Sequence, residues 1–119
     1  MLKIKLVSIM VEDQDKALAF YTDVLGFTKS ADIPVGGPYR WITVVAAPED
    51  LELSLEPNAN PIGKAFQEGL FKQGIPATSF ESTDLDVDHA RLTKAGRVVP
   101  VLQQLPDVAR RWVKDGSAA

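Results

Sequence analysis

The chain has 119 residues, 45% of them hydrophobic and 24% charged, a balance that suits one globular domain with a single core and argues against disordered and fibrous classes. Its 13 Lys and Arg against 16 Asp and Glu leave a net charge of -3, and no basic cluster exists beyond Arg110-Arg111, so the electrostatic footprint of a nucleic-acid binder is missing. There is no long apolar run, no export-type leader and no cysteine, which argues against a membrane span, disulfides, thiolate metal sites and cysteine nucleophiles, and leaves the cytoplasm as the expected compartment.

Residues 2–11, LKIKLVSIMV, are aliphatic and β-branched and alternate at the start, which predicts a strand. Asp13 caps a helix over 14–25, where Ala17, Leu18, Tyr21, Val24 and Leu25 recur at three- and four-residue steps before Gly26 supplies a left-handed stop. Three strands are predicted next, over 27–33, 40–47 and 51–56, separated by Pro34-Val35-Gly36-Gly37-Pro38 and by Pro48-Glu49-Asp50. That order is βαβββ. Asn60 as N-cap and Pro61 at the first helical position then open a short amphipathic helix, with Ile62, Phe66 and Leu70 on one stripe and Gly74 at its end.

The opening pattern then returns. Asp13, Asp15, Ala19 and Thr22 recur 71 residues later as Asp84, Asp86, Ala90 and Thr93, and one deletion brings Gly26 onto Gly96. A duplicated strand-helix unit is the simplest cause. The tail, RVVPVLQQLPDVARRWVKDGSAA, carries over 106–116 either a strand or a terminal helix, because Pro106 and Gly116 bracket good helix formers.

The stretch from Val7 to Phe27, reading VSIMVEDQDKALAFYTDVLGF, resembles the opening signature of the vicinal oxygen chelate superfamily of glyoxalases, bleomycin-resistance proteins and extradiol dioxygenases. Tyr39-Arg40-Trp41-Ile42-Thr43-Val44 is similar to the third strand of a bacterial subgroup, and Phe80-Glu81-Ser82-Thr83-Asp84-Leu85-Asp86 to the opening of a second module. The resemblance implies an α+β fold of paired βαβββ modules enclosing a cup-shaped cavity, often completed in a homodimer. Module one would span 1–57, a connecting helix 58–75 and module two 76–119, shortened or altered at its C-terminus because the family's usual last strand is not recognisable.

Catalysis in the superfamily generally uses a divalent metal held by two ligands from each module. The resemblance sets those positions at Leu6, Glu52, Ala77 and the last strand. Leu6 and Ala77 cannot coordinate anything, and one carboxylate is not a site. Glu52 has a plainer reading as the polar phase of an alternating strand. Glu81, joined by Glu52 or Glu56, is the alternative oxygen-only Mg or Mn site. His89 lies on the apolar stripe of the second helix and reads as structural. No G-x-S-x-G supports a nucleophilic serine, and Gly36-Gly37 is a turn rather than a phosphate cradle. No catalytic residue is assigned.

If Leu6 faces the cavity that the resemblance implies, strand alternation lines it with Leu6, Ser8 and Met10, with Ala77, Ser79 and Glu81, and with Glu52, Ser54 and Glu56. Arg40 and Trp41 either cover a ligand or serve as solvated edge and core, and the helix bearing Phe66 and Leu70 either lids the cavity or plugs the core. The reading favoured is a homodimeric binding protein with no cofactor, which sequesters a small cationic or aromatic compound. A metal-dependent lyase or dioxygenase, and a diverged member with a structural or interaction role, are the alternatives.

Overall fold

The computed structural model describes residues 1–75, 77–78 and 80–95, together with the backbone of 101–105 and 108–111. Strands β1 (Leu6–Val11), β2 (Thr28–Pro34), β3 (Arg40–Val45) and β4 (Glu52–Pro57) form one sheet in the order β1-β4-β3-β2. β1 runs parallel to β4, and the other neighbours are antiparallel. The first strand is shorter than the pattern over 2–11 predicts, because a ladder needs a neighbour and β4 begins at Glu52, whose N–H reaches the Lys5 carbonyl at 2.9 Å. Before that point Met1, Leu2 and Ile4 stand in solvent.

Asp13 caps α1 (Gln14–Ala19), its carboxylate accepting the Lys16 N–H at 3.0 Å. The single helix predicted over 14–25 widens after Ala19 into a π turn, Phe20–Val24, closed by the Leu25 N–H on the Phe20 carbonyl at 3.1 Å. The Thr22 hydroxyl donates to the Leu18 carbonyl at 2.8 Å, the kind of side-chain bond that competes with regular helix. Both Phe20 and Tyr21 are buried at this turn, their rings edge to face with centroids 5.3 Å apart. Gly26 ends the segment at φ +79°, the left-handed region foreseen for it.

Alternation gives the sheet two faces. Val11, Ile42, Val44, Leu53 and Leu55 form the core with Ala17, Phe20 and Tyr21. Gln14 is the polar exception in this layer. It is buried, donates to the carbonyls of Arg40 at 2.6 Å and Leu55 at 3.0 Å, and accepts the Arg40 N–H at 3.1 Å, so the start of α1 is fastened to both β3 and β4.

Helix α2 (Pro61–Lys72) begins where Asn60 accepts the Ile62 N–H at 2.9 Å. None of its residues is buried, so it does not plug the core. Helix α3 (Leu85–Lys94) repeats the α1 entry, with the Asp84 carboxylate accepting the Val87 N–H at 3.2 Å. It leans on the first module through Arg91, which donates to the Val24 carbonyl, while Phe80 meets Phe27 edge to face at 6.0 Å. Ahead of α3 the opening strand of the second module is reduced, among the described residues, to a single bridging residue, Phe80. The Ser82 hydroxyl instead engages the Asp84 N–H and the Asp88 carboxylate, drawing the chain into the helix entry. In the tail, β5 (Val101–Leu105) pairs antiparallel with β6 (Val108–Arg111), so the strand alternative holds for 108–111 and the helix does not; 106–107 and 112–116 lie outside the described residues.

Candidate ligand-binding face

The face of the sheet turned away from α1 is organised in rows by strand register. In the first row Leu6 of β1 lies beside Glu52 of β4, in the second Ser8 beside Ser54, and in the third Met10 beside Glu56. β3 adds Thr43 opposite Ser54, and β2 adds Ala31 opposite Thr43 and Ile33 opposite Trp41. The β3–β4 pairing covers Thr43 with Ser54 and Val44 with Leu53, and beyond it the Gln14 amide bonds the carbonyls of Arg40 and Leu55.

Exposure differs sharply along these rows. Thr43 and Ser54 are buried, whereas Trp41 is 42% exposed, which excludes the core reading of that indole. The hydroxyls are used locally: Thr43 donates to Glu52 at 3.0 Å and Ser54 donates to Glu56 at 2.7 Å. The Ser30 hydroxyl, then that of Thr43, and beyond them the charge of Lys5, hold the Glu52 carboxyl below its ordinary value, so it stays ionised. Ser30 falls at the irregularity between Lys29 and Ala31 in the β2–β3 register, and such bulges re-aim side chains. Neither Ser30 nor Thr43 was singled out from the sequence. Thr43 carried a usable signal, two residues from Trp41 in an alternating strand; Ser30 carried none, because a bulge has no fixed sequence mark.

Arg40 does not join this group. It belongs to the alternate phase of β3 with Ile42 and Val44, and its guanidinium pairs with Asp15 and Asp32, each at 2.8 Å. Those carboxylates, Asp15 first, raise the Arg40 pKa, and Arg40 in turn holds Asp32 below its ordinary value. Its role is to tie α1 to β2 and β3.

α2 sits at the Met10 end of the face. A Cβ on Gly63 would lie 3.3 Å from the Met10 sulfur, a tight contact that a small shift of the flexible methionine would relieve. Gln67 donates to the Met10 carbonyl at 2.9 Å and accepts from Asn58 at 2.8 Å. Phe66 of α2 is 64% exposed. Glu81 is exposed ahead of α3 with no described contact to Glu52 or Glu56, and Ser79 lies outside the described residues.

Among the described residues, the divalent ion that the resemblance implies finds a poor donor set at the Leu6 and Glu52 positions. Leu6 and Glu52 are side by side, so only one of the pair can donate electrons, and Glu52 already accepts a hydroxyl proton. Among the described residues no three His, Cys, Asp or Glu side chains gather closely enough to share an ion.

No helix among the described residues is long and apolar enough to cross a membrane. The uncharacterized protein YurT of Bacillus subtilis (strain 168) is 47% identical over 98 residues, covering 80% of this chain and 76% of YurT. The crystal structure of UcmS2 superposes with a TM-score of 0.81 at 27% identity, covering 99% of this chain and 93% of that one. That of TnmS3, an antibiotic binding protein from Streptomyces sp. CB03234, gives 0.73 at 27% identity, covering 99% and 90%. The profile of the Glyoxalase/Bleomycin resistance protein/Dioxygenase superfamily matches residues 3–115, and with the βαβββ sheet and the capped helix of the second module in place, the chain belongs to that superfamily.

Proposed function

We propose that this protein binds a small organic molecule on the open face of its four-stranded sheet and releases it unchanged, without a resident metal ion. The observation that carries the reading is the pairing of Leu6 with Glu52 in adjacent strands, an aliphatic side chain where a second electron-pair donor is needed. Ser8, Met10, Trp41, Glu52, Ser54 and Glu56 form the floor, and Phe66 is exposed on α2. A face on which Met10 and Trp41 stand among fixed hydroxyls and carboxylates suits recognition of a small organic molecule. TnmS3, described as an antibiotic binding protein, shares the fold and supports a binding role.

The protein acts in the cytoplasm as a homodimer on this reading. Support comes from the absence of cysteine and from the segment leading into the edge strand β1, where Leu2, Ile4 and Leu6 are exposed apolar side chains that a second copy would cover. Elemental analysis of the purified protein tests the central claim. Far less than one divalent ion per chain is expected, with ligand-induced thermal stabilisation unchanged by chelator. A stoichiometric ion that disappears in Glu52→Ala would overturn it in favour of a metal-dependent lyase or dioxygenase.

A further inference from the structure

We infer that the sheet is built to part between β3 and β4, with the Gln14 side chain as a clasp that stands in for a backbone rung the sequence cannot make. The device holds whether or not the face binds a small molecule.

The direction of each peptide group follows from its bonds. The Glu52 N–H reaches the Lys5 carbonyl and the Asn58 N–H reaches the Val11 carbonyl, so alternation turns the peptide groups of Leu53, Leu55 and Pro57 toward β3. The Val35 N–H reaches the Tyr39 carbonyl across the hairpin, so those of Arg40, Ile42 and Val44 turn toward β4. Val44 does meet Leu53 as a ladder pair. Run on in the same register, the ladder would bring Arg40 to Pro57, and a proline has no N–H to offer the Arg40 carbonyl. The pairing stops short of that rung, at Thr43 and Ser54.

Gln14 makes the missing bonds. Its primary amide carries the same donor and acceptor as a peptide group. Nε2 donates to the Arg40 carbonyl at 2.6 Å and Oε1 accepts the Arg40 N–H at 3.1 Å, the two bonds that a partner strand would have formed. Nε2 also donates to the Leu55 carbonyl at 3.0 Å, and the side chain is buried, so water does not compete freely for these groups.

Two leaves result. Beyond Thr43 and Ser54, β3 keeps its pairing with β2 through Ile42, Trp41 and Arg40, while β4 keeps its pairing with β1 through Leu55, Glu56 and Pro57. Trp41 rides on the first leaf, and Met10 and Glu56 ride on the second. Releasing one side chain of α1 lets the leaves separate with every rung of both intact, so the width of the open face at this end is set by Gln14 and not by a ladder.

The test is amide hydrogen exchange of the full chain, followed residue by residue by NMR, with the Val44 and Leu53 amides of the intact ladder as the reference. In Gln14→Ala the Arg40 amide should exchange about tenfold faster against that reference, as loss of a sheltered hydrogen bond implies. Pro57→Ala supplies the N–H that the rung lacks. Added to Gln14→Ala, it should return Arg40 exchange to within about threefold of wild type, because a backbone rung can then form. Thermal midpoints should show a reversal of sign: Pro57→Ala lowers or leaves the midpoint while Gln14 is present, and raises it in Gln14→Ala. An Arg40 amide as well protected in Gln14→Ala as in wild type, or a double variant no better protected and no more stable than Gln14→Ala, would overturn the inference. Should Gln14→Ala be too unstable for exchange, the double variant decides: recovery of a folded protein supports the clasp, and continued instability removes it.

Discussion

The two faces of the four-stranded sheet are built from the same strands in alternate phase, yet they do opposite work. Toward α1 the strands present Ile42, Val44, Leu53 and Leu55, packed under Phe20 and Tyr21. Toward the other side they present Trp41, Thr43, Glu52, Ser54 and Glu56, where hydroxyls serve carboxylates and an indole stands partly in water. A strand whose odd and even positions answer to different demands can keep a fixed core while its second face varies in chemistry. This is one physical reason why a sheet of this kind can support many different ligands.

The largest effect should come from breaking the packed face. Leu55 is almost wholly buried beneath α1, and Leu55→Ala is expected to cost about 2–5 kcal/mol in chemical denaturation. Its neighbour Ser54→Ala on the opposite face removes one hydrogen bond to Glu56 and should cost only about 0.5–1.5 kcal/mol. Comparable losses for the two substitutions would show that both faces belong to one core.

Gln14 joins the faces, because its side chain lies among apolar groups yet holds the backbone beside Trp41 and Glu56. Gln14→Leu keeps the volume but strands two carbonyls and one N–H, and should cost about 1–3 kcal/mol in the same assay. A neutral or stabilising result would mean that water reaches those groups.

How much of this was legible beforehand depended on range. The βαβββ order and the caps at Asp13, Asn60 and Asp84 follow from spacing within single segments, and the grouping of Ser8, Met10, Glu52, Ser54 and Glu56 on one face follows from strand alternation once the resemblance sets which face meets the cavity. The parts that were not legible are those decided by contact between segments. Arg40 looked like a neighbour of Trp41 because it precedes it, but one step along a strand reverses the face, and Asp15 and Asp32 captured it on the helix side. Gln14 carries no reading in the sequence, since nothing local marks two carbonyls arriving from 26 and 41 residues away. The π turn over Phe20–Val24 likewise depends on packing two adjacent aromatic rings into one core.

The smallest effect should appear on acidification, and it separates the faces once more. The Asp32 carboxyl, on the helix side, is held below the ordinary range chiefly by the Arg40 guanidinium, with Lys29 adding to it. Glu52, on the open side, is held down chiefly by the neutral hydroxyls of Ser30 and Thr43. Because both native pKa values lie beneath the unfolded ones, each group contributes stability at and above the ordinary carboxylate range. As the pH falls through the lowered values, the native state must take up protons that the unfolded chain already holds, and the contribution disappears. Both groups are open to solvent, so the total change in the urea midpoint should be modest. Salt distinguishes the two shares. High ionic strength screens the charge on Arg40 and Lys29 but not a hydroxyl hydrogen bond, so the acid-labile share that survives in high salt should vanish in Glu52→Gln and persist in Asp32→Asn. A salt-resistant share lost in Asp32→Asn instead would mean that the hydroxyls of the open face do not hold the Glu52 charge.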